Sequence, residues 1–420
     1  MDEYFDSLET RDPAQREAAL LAALPAQVAA AQRTAAFGAL LSGVDARGVD
    51  SRAALAQLPV TRKHELLERQ QAARAAGGDP FGGHSAIGWA ALGLQRAARR
   101  VFQSPGPIYE PEGPAADYWR FARAFFAAGF RAGDLVHNSF SYHLTPAGSM
   151  METAAHAIGC TVFAGGVGNT ELQLQAIADL RPQAYAGTPS FLRIAVEKAE
   201  SLDQKLSITK ASVGGEAFPP ALRDWLAERG IAAYQSYGTA DVGLVAYETA
   251  AREGLVIDEG VLVEIVRPGG SEPLPDGEVG EVVVTVYNPD YPLVRFGTGD
   301  LSAVLPGRCP SGRSNTRIRG WLGRADQTAK VRGMFVHAGQ VAQVVRRHPE
   351  IAKARLVVSG EMANDRMTLR AEVSTTPDGL AEQIAQSVRD VTKLRCEVEL
   401  CAVGSLPNDG KLIEDARAVG

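Results

Sequence analysis

The sequence predicts an α/β fold, with a large N-terminal domain of mainly parallel sheets plus a β-rich subdomain, and a small α+β C-terminal domain. Between about residues 100 and 240, short β-rich runs alternate with amphipathic helical segments, which is typical of βαβ units and parallel sheets. From about residue 255 to 305 the chain shows strand patterns alone, and its composition changes again at residues 320–324. We therefore expect an N-terminal domain over residues 1–322 and a C-terminal domain over residues 323–420.

Residues 1–80 form the predicted helical lead-in of the first domain. Leu20, Leu21, Leu24 and Val28 recur at helical spacing, so their side chains share one face of a helix. A Leu-Pro pair at residues 58–59 then ends a short helix, and another helix is expected to begin near Thr61.

The parallel sheet is predicted from five β-rich runs, with helices over Tyr118–Ala128 and Glu171–Leu180 between some of them. The runs read DLVHNSFSY, CTVFAGG, QAYAGTP, KASVGGE and AAYQSYG. Beyond residue 324 the pattern indicates a short β pair, a helix over 339–348, strands near 354–359 and 367–373, a helix over 380–394 and a strand at 397–400. A segment of about 95 residues is long enough for a small independent domain.

Composition and charge exclude several classes of protein. Of 420 residues, 45% are hydrophobic and 22% charged, so disorder is excluded as the dominant state. The 43 basic and 49 acidic residues give a net charge of −6, which offers no electrostatic attraction to nucleic acid or an anionic membrane. The N-terminus lacks the pattern of a signal peptide, and the four cysteines form no Cys-x-x-Cys pair. We expect a cytoplasmic protein without a membrane span.

The positions of the 43 glycines point to a binding site. A glycine loop is by itself best interpreted as a tight turn. Ligands of open α/β sheets, however, bind at the carboxyl ends of strands, and glycine lets the backbone approach a ligand closely. Five glycine loops that also carry hydroxyl or carboxylate side chains favour a nucleotide-type crevice, and they are residues 165–171, 187–190, 214–216, 237–241 and 295–300.

Four segments, in this order and spacing, resemble the phenylacetate–CoA ligase group of the adenylate-forming superfamily: SVGGEAFPPALRDWL, AYQSYGTADVG, YPLVRFGTGDL and GRADQTAKVRGMFVHAGQV. The segments PVTRKHELLE and GCTVFAGGVGNTELQLQAI are also similar to that group, so the similarity covers nearly the whole chain. The resemblance implies activation of a carboxylic acid by ATP as an acyl-adenylate, followed by transfer to CoA. It also implies Mg²⁺, a small C-terminal domain that moves between the half-reactions, and a homodimer.

The resemblance assigns nucleotide-binding roles to residues of the glycine loops and their neighbours. Asp300 is expected to accept hydrogen bonds from the ribose hydroxyls. Tyr237 is expected to stack on the adenine or frame the acyl pocket, although a buried core tyrosine is a serious alternative. The implied nucleotide-binding residues are Ser104, Gly106, Gly215, Glu216, Ala217, Tyr237, Gly238, Thr239, Asp300 and Arg324.

The C-terminal segment is expected to supply further residues by resemblance. Arg324 is expected to contact the ribose or phosphate, Asp326 to act as the hinge, and Gly333 to line the CoA channel. Lys411 stands where the group carries its adenylation lysine, whose ammonium would bridge carboxylate and phosphate oxygens. Without the resemblance, Lys411 would be interpreted as an ordinary surface lysine.

The segment that matches the phosphate loop, Ser104–Pro111, departs from the group's Ser/Thr/Gly-rich pattern. Ser104 and Gly106 keep register, but Pro107 and Ile108 replace hydroxyl side chains, and Glu110 adds a negative charge. Prolines also lack the backbone N–H that a phosphate oxygen would accept from. Three upstream arginines either compensate or lie on a solvated helix face, and they are Arg96, Arg99 and Arg100.

Two further departures concern metals. Asp241 stands where the group normally has a metal-associated Glu, so Mg²⁺ ligation would need a small shift or a bridging water. Some members carry a structural Cys/His site, but the matching positions here are Thr249, Val256, Cys309 and Ser311. One thiolate cannot close a tetrahedral site. We therefore expect no structural zinc, with Cys309 an orphan loop thiol.

The acyl pocket is expected to suit a planar aryl or arylacetic acid, with Lys411 and Asp241 as the catalytic residues. His143 is expected either to orient the substrate or to be an ordinary hydrogen-bonded histidine. Two alternatives stay open: an adenylating enzyme that passes the acyl group to an amine or carrier thiol, and a degenerate homologue with weak activity. The expected pocket residues are Phe140, Tyr142, His143, Gly187, Thr188 and Pro189.

Overall fold

Backbone contacts in the computed structural model divide the chain into two units, residues 1–322 and 323–420. The structure describes residues 3–94, 96–322, 324–325, 328–332, 334–360, 364–407 and 411–417. Within this described part of the chain, every helix is too short or too polar to cross a bilayer.

Helices of the first unit include the predicted lead-in. The carboxylate of Asp12 accepts hydrogen bonds from two N–H groups of the first turn of α1, which fixes where this helix begins. Leu20, Leu24 and Val28 are buried, as their spacing predicts. The helices are α1 (Pro13–Gln32), α2 (Ala35–Leu40), α3 (Arg52–Ala56), α4 (Lys63–Ala75), α5 (Ala122–Ala127), α6 (Ala147–Ala157), α7 (Thr170–Leu180), α8 (Pro189–Ser201) and α9 (Pro220–Glu228).

The described strands of the first unit form three sheets. They are β1 (Thr61–Arg62), β2 (Arg100–Ser104), β3 (Ile108–Glu112), β4 (Leu135–Asn138), β5 (Thr161–Ala164), β6 (Ala184–Gly187), β7 (Lys210–Val213), β8 (Ala232–Thr239), β9 (Gly243–Glu248), β10 (Leu255–Ile257), β11 (Val261–Val266), β12 (Gly280–Val286), β13 (Phe296–Ser302), β14 (Val304–Leu305) and β15 (Arg317–Ile318).

The largest sheet has nine strands in the order β14-β15-β10-β9-β8-β7-β6-β4-β5. The five strands from β8 to β5 pair in parallel, whereas β9, β10, β15 and β14 pair antiparallel. All five β-rich runs of the sequence are strands of the parallel part. The predicted α/β class is therefore confirmed.

The β-rich segment forms a four-stranded sheet in the order β1-β13-β12-β11. It differs from the prediction in two respects. Strand β10 joins the nine-stranded sheet by pairing with β9, and β1 of the lead-in adds to β13 in parallel, with Thr61 opposite Phe296. Local strand patterns do not encode these partners.

The predicted helix over 118–128 is shorter than expected. Helix α5 begins only at Ala122, because Arg120 has a φ of +67°, which a continuing helix cannot accommodate. The guanidinium of Arg120 is held there by Asp258, with its Nε 3.1 Å from Oδ1, and by the carbonyl oxygens of Val242 and Leu244. Long-range contacts thus override the local helical pattern.

The second unit is built on a mixed four-stranded sheet in the order β20-β19-β18-β21. Leu356, Leu369, Ile384 and Val388 form part of its own buried core, together with side chains of both its helices. The elements are β16 (Thr328–Val331), β17 (Met334–His337), α10 (Ala338–Arg347), β18 (Ile351–Ser359), β19 (Arg366–Val373), α11 (Leu380–Thr392), β20 (Glu397–Cys401) and β21 (Ile413–Asp415).

Candidate functional site

Loops that follow three parallel strands meet at one edge of the nine-stranded sheet. Gly187 pairs with Val213, and Val213 pairs with Gln235, so β6, β7 and β8 run side by side toward that edge. The N–H of Gly214 donates to the Gly187 carbonyl at 3.2 Å. A Cβ at Gly214 would lie 2.9 Å from the Ser236 carbonyl oxygen, so this close approach requires glycine. The loops predicted to line a crevice are thus brought together.

The loop after β6 is held by two buried hydroxyls. Tyr185 Oη donates to the Thr188 carbonyl at 3.0 Å and lies 2.7 Å from Ser139 Oγ. Thr188 caps α8 through its side chain, and Pro189 occupies the first helical turn, an arrangement that suits both residues. Burial raises the pKa of Tyr185, so its hydroxyl keeps its proton and remains a donor. The predicted acyl-pocket loop therefore has a fixed backbone.

Glu216 links the loop after β7 to the loop after β6. Its Oε1 accepts the backbone N–H of Ser190 at 2.7 Å, within the first turn of α8. Gly215 has a φ of +79°, a left-handed conformation that glycine adopts freely, and this turn directs Glu216 toward the helix. Ala217 follows in a half-buried position. The predicted nucleotide loop and the predicted acyl loop are therefore in direct contact.

The segment after β4 carries the aromatic residues expected in the acyl pocket. Asn138 Nδ2 donates to Tyr142 Oη at 2.8 Å and to the Gly148 carbonyl at 2.9 Å, which ties the segment to α6. Phe140 and Tyr142 are half-buried. His143, in contrast, is exposed, and its role as a substrate-orienting or an ordinary hydrogen-bonded histidine stays a prediction.

Asp300, the predicted ribose-binding carboxylate, is fixed by two side chains of the first unit. The Tyr237 hydroxyl donates to Oδ2 at 2.9 Å, and the Trp321 indole N–H donates to Oδ1 at 3.0 Å. Tyr237 is 9% exposed and packs within the largest core cluster. The structure thus favours the core interpretation of Tyr237, and its hydroxyl orients Asp300.

The turn after β8 places Asp241. A Cβ at Gly238 would lie 2.5 Å from the Gly243 carbonyl oxygen, so this position also requires glycine. Thr239 Oγ1 accepts the Val242 N–H at 3.3 Å and lies 3.4 Å from Asp241 Oδ2. These contacts fix the backbone that carries the carboxylate.

Asp241 forms an ion pair with Lys63, the first residue of α4. Lys63 Nζ lies 2.9 Å from Asp241 Oδ2, and the Asp241 side chain is 1% exposed. The other oxygen of this carboxylate, Oδ1, has no hydrogen-bond partner among the described residues. Such an oxygen is available to a hard cation such as Mg²⁺, which prefers carboxylate ligands.

Sequence reasoning missed Lys63, although it lies in a segment quoted for the resemblance. One local signal exists. A lysine in the first turn of a helix opposes the helix dipole, and here the Asp241 carboxylate offsets that unfavourable interaction.

The segment that matches the phosphate loop forms the hairpin β2–β3, with Ser104 opposite Ile108 and Gly106 in the turn. Ser104 is 2% exposed, and its hydroxyl is hydrogen-bonded to the carboxyl of Glu110. Burial, followed by the nearby charge of Asp241, raises the pKa of Glu110 to about 8. This carboxyl therefore holds its proton more strongly than an exposed glutamate does, which reduces the negative charge that the sequence predicts in this hairpin.

The three upstream arginines do not lie on a helix, so the solvated helix face is also wrong. Arg100 begins β2 and donates to Glu112 Oε1 at 3.3 Å. Arg96 pairs with Asp290. The backbone N–H of Arg99 donates to the Glu112 carbonyl at 2.7 Å. Arg96 and Arg100 thus already have carboxylate partners, which leaves less of their charge for a phosphate.

The positions that match a structural zinc site come together as a cluster of hydroxyls and one thiol. Cys309 Sγ lies 3.6 Å from Thr249 Oγ1 and 3.1 Å from Ser311 Oγ, and Val256 packs in the same core. Cys309 is therefore a buried loop thiol that is hydrogen-bonded to these two hydroxyls. Among the residues that the structure describes, no three or more His, Cys, Asp or Glu side chains cluster around a possible metal.

The predicted residues of the second unit are only partly within the described chain. Lys411 is exposed and Arg324 is half-buried, and both interact with other residues. Asp326 and Gly333, predicted as hinge and CoA-channel residues, lie outside the described residues.

Glycine loops at the carboxyl edge of a parallel sheet, beside a fixed carboxylate, are the arrangement expected of a nucleotide-binding enzyme. The family model described as AMP-binding enzyme matches residues 120–288. Over 412 residues the chain is 29% identical to the phenylacetate-coenzyme A ligase of Thermus thermophilus, covering 88% of each protein. Over 309 residues it is 30% identical to the phenylacetate-coenzyme A ligase of Pseudomonas putida, covering 69% of this chain and 70% of that one. The chain belongs to the phenylacetate–coenzyme A ligase family of AMP-binding enzymes, which confirms the resemblance.

A solved structure supports the fold over the whole length. A 2-hydroxyisobutyryl-CoA ligase, in complex with 2-HIB-AMP and CoA in the thioesterification state, has a TM-score of 0.80 to this chain at 22% identity. The match covers 100% of this chain and 93% of that one. At this identity the likeness concerns the fold alone.

Proposed function

We propose that this protein is an AMP-forming acid–thiol ligase that activates an aromatic or arylacetic carboxylic acid with ATP and transfers the acyl group to CoA. Membership of the phenylacetate–coenzyme A ligase family supports the reaction class. The observation that carries it is Asp300, a buried carboxylate whose two oxygens accept hydrogen bonds from Tyr237 and Trp321 and whose plane is thereby fixed.

The first half-reaction joins the acid to the nucleotide. A carboxylate oxygen of the acid attacks the α-phosphorus of ATP, the bond to the bridging oxygen breaks, and pyrophosphate leaves. Asp300 is proposed to hold the ribose and the segment Gly215–Ala217 to line the adenine. Catalysis of this kind depends on placement and on neutralisation of phosphate charge, which is the role proposed for Lys411 and Arg324.

The second half-reaction transfers the acyl group. The sulfur of CoA attacks the acyl carbon of the adenylate, the bond to the phosphate oxygen breaks, and AMP leaves while the thiol loses its proton. The roles of Asp326 as hinge and Gly333 in the CoA channel belong to this step and stay predictions, as does a homodimer.

Asp241 is the proposed residue for Mg²⁺, since its buried Oδ1 has no partner among the described residues. When bound, Mg²⁺ neutralises phosphate charge and polarises phosphoryl oxygens. The carboxylate of Asp241 would hold the ion. The ammonium of Lys63 would shift, because it contacts the same carboxylate.

The test is incubation of the purified chain with ATP, Mg²⁺, CoA and a panel of aryl, arylacetic and short aliphatic acids. We expect AMP and an acyl-CoA thioester with at least one aryl or arylacetic acid, and neither product from Asp300→Ala. If no acid yields AMP, ligase activity is excluded. Acid-dependent pyrophosphate exchange without thioester formation would instead indicate an amine or carrier thiol as the acceptor.

A further inference from the structure

We propose that Gln70 of helix α4 is a positioning residue that fixes the hairpin β2–β3, so that the turn of this hairpin meets the β- and γ-phosphates of ATP in a preset orientation. The contact with the phosphates rests on the proposed function. The fixed position of the hairpin follows from hydrogen bonds within the chain and is testable without any substrate.

Gln70 binds the outer edge of β3 with both ends of its side-chain amide. Its Nε2 donates to the Tyr109 carbonyl at 2.9 Å, and its Oε1 accepts the Tyr109 N–H at 2.8 Å. A neighbouring strand would make the same two bonds. Gln70 is 0% exposed, so the loss of either bond would leave a buried polar group unpaired. The amide therefore holds this point of the hairpin firmly against α4.

The opposite edge of the hairpin is held as well. The backbone N–H of Gln103 donates to the Leu144 carbonyl at 2.8 Å, in the segment that follows β4. Within the hairpin, Gln103 Nε2 donates to the Tyr109 hydroxyl at 2.9 Å. Each strand of the hairpin thus has a partner outside it, and the Gln103–Tyr109 contact joins the two strands.

Helix α4 also supports the strand beside the turn. Ile108 is 1% exposed and belongs to the same core cluster as Leu66 of α4. The guanidinium carbon of Arg74, in the last turn of α4, lies 5.1 Å from the centre of the Tyr109 ring. The turn itself, residues 105–107, is exposed. A ligand can therefore reach the turn, although the strands that carry it are fixed.

A fixed position suits a hairpin that offers few groups to a phosphate. Three of the eight residues from Ser104 to Pro111 are prolines, which have no N–H, and the Ser104 hydroxyl is bonded to Glu110. A loop with many donors can replace one donor by another when it moves. A loop with few donors binds well only if they are already in position, because ordering the loop opposes binding. Gln70 thus compensates for the altered sequence of the hairpin.

The proposal distinguishes two nucleotides. ATP has the β- and γ-phosphates that the turn would meet, and AMP lacks them. Loss of the Gln70 amide is therefore expected to weaken the binding of ATP and to leave the binding of AMP unchanged. A residue that served only the general stability of the first unit would affect both nucleotides alike.

The experiment is calorimetric titration of the full chain with ATP and Mg²⁺, and separately with AMP, in the absence of any acid. Gln70→Leu keeps a side chain of similar size and loses both hydrogen bonds. We expect its Kd for ATP to rise about tenfold or more and its Kd for AMP to change by less than about twofold. Gln27→Leu is the matched control, because Gln27 is a buried glutamine of α1 whose Nε2 donates to the Asn288 carbonyl at 3.2 Å. It should leave the ratio of the two Kd values unchanged.

Hydrogen–deuterium exchange, followed by mass spectrometry, tests the hydrogen bonds of Gln70 without nucleotide. Peptides that cover residues 101–112 should exchange faster in Gln70→Leu than in the wild type, by about tenfold or more. In Gln27→Leu they should exchange at the rate of the wild type. Unchanged exchange of the hairpin in Gln70→Leu would overturn the proposal, and so would an equal weakening of ATP and AMP binding.

Circular dichroism checks that each variant is folded. If Gln70→Leu does not fold, Gln70→Asn decides, because it keeps a buried amide that is one methylene shorter and does not reach both groups of Tyr109. Faster exchange with a selective loss of ATP binding supports the proposal, and wild-type behaviour refutes it. A selective loss of ATP binding in a protein that forms no AMP with any acid would count against the proposed function and leave this inference standing. Absence of ATP binding by the wild type would overturn both.

Discussion

The two carboxylate oxygens of Asp300 accept hydrogen bonds from Tyr237 and Trp321, which fix the plane of the carboxylate. Tyr237→Phe removes one donor and keeps the ring in the core. Loss of a hydrogen bond to a charged group costs about 1.5 kcal/mol, so we expect the KM for ATP to rise roughly tenfold with a smaller change in kcat. Acid-dependent pyrophosphate exchange measures both.

Tyr287→Phe is the control for this substitution. The Tyr287 hydroxyl donates to the Leu20 carbonyl at 2.6 Å, in contact with the lead-in helix and not with Asp300. An equal rise in KM for the two variants would show that the effect is one of general stability.

A second prediction at the residue scale concerns Glu216, which joins the nucleotide loop to the acyl loop through Ser190. Glu216→Ala leaves the first turn of α8 without this acceptor and removes a negative charge favoured at a helix N-terminus. We expect the KM values for both ATP and the acid to rise, each roughly threefold to tenfold.

Glu216→Gln serves as its conservative counterpart, because the amide oxygen can still accept the Ser190 N–H. In Glu216→Gln the KM values for ATP and the acid should therefore lie close to those of the wild type. An increase confined to the KM for ATP in Glu216→Ala would contradict a link between the two loops.

At the scale of the element, the hairpin β2–β3 contains an acid whose pKa depends on folding. The pKa of Glu110 is about 8 in the folded protein, whereas that of a solvated glutamate is 4.5. Between these values the folded state binds more protons, so the free energy of unfolding falls as pH rises. Glu110→Gln mimics the protonated form, and we expect it to be more stable than the wild type by roughly 4 kcal/mol at pH 8 and nearly as stable as the wild type near pH 4.5.

Urea unfolding with EDTA present, followed by tryptophan fluorescence, measures this difference. All four tryptophans lie within residues 1–322, so the signal reports the unit that contains the hairpin. A difference between variant and wild type that stays constant from pH 5 to pH 8 would contradict the shifted pKa.

The helices and strands of the first unit differ in how far the sequence predicts them. Strands β6, β7 and β8 are predictable because each is a short β-rich run with a glycine at its end or directly beside it. The length of α5 was not, because Arg120 leaves the helical region to reach Asp258, 138 residues later. The partner of β10 was equally hidden, since three apolar residues in a row pack into either sheet.

For the whole molecule, the loops and their order along the chain could be predicted, but the contacts that hold the charged residues could not. The pairing of Lys63 with Asp241 spans 178 residues, and the protonation of Glu110 depends on burial that only the assembled unit produces. The sequence identifies the segment Ser104–Pro111 as the one that departs from the family's phosphate-loop pattern. It overestimates the negative charge of Glu110 because the ordinary pKa of glutamate applies to a carboxyl in water.

The division into two units suggests a test of how the half-reactions are shared. Lys411 belongs to the second unit and is exposed, and its proposed role concerns adenylation alone. Lys411→Ala should therefore lose acid-dependent pyrophosphate exchange by about 100-fold or more, because no point charge then bridges carboxylate and phosphate. Thioester formation from a synthetic acyl-adenylate and CoA should change by less than about threefold, since that step has no pyrophosphate to neutralise.

Lys205→Ala, an exposed lysine of the first unit, should leave both steps unchanged. Equal losses in the two half-reactions of Lys411→Ala would show that the lysine supports the structure of the second unit and does not act in adenylation.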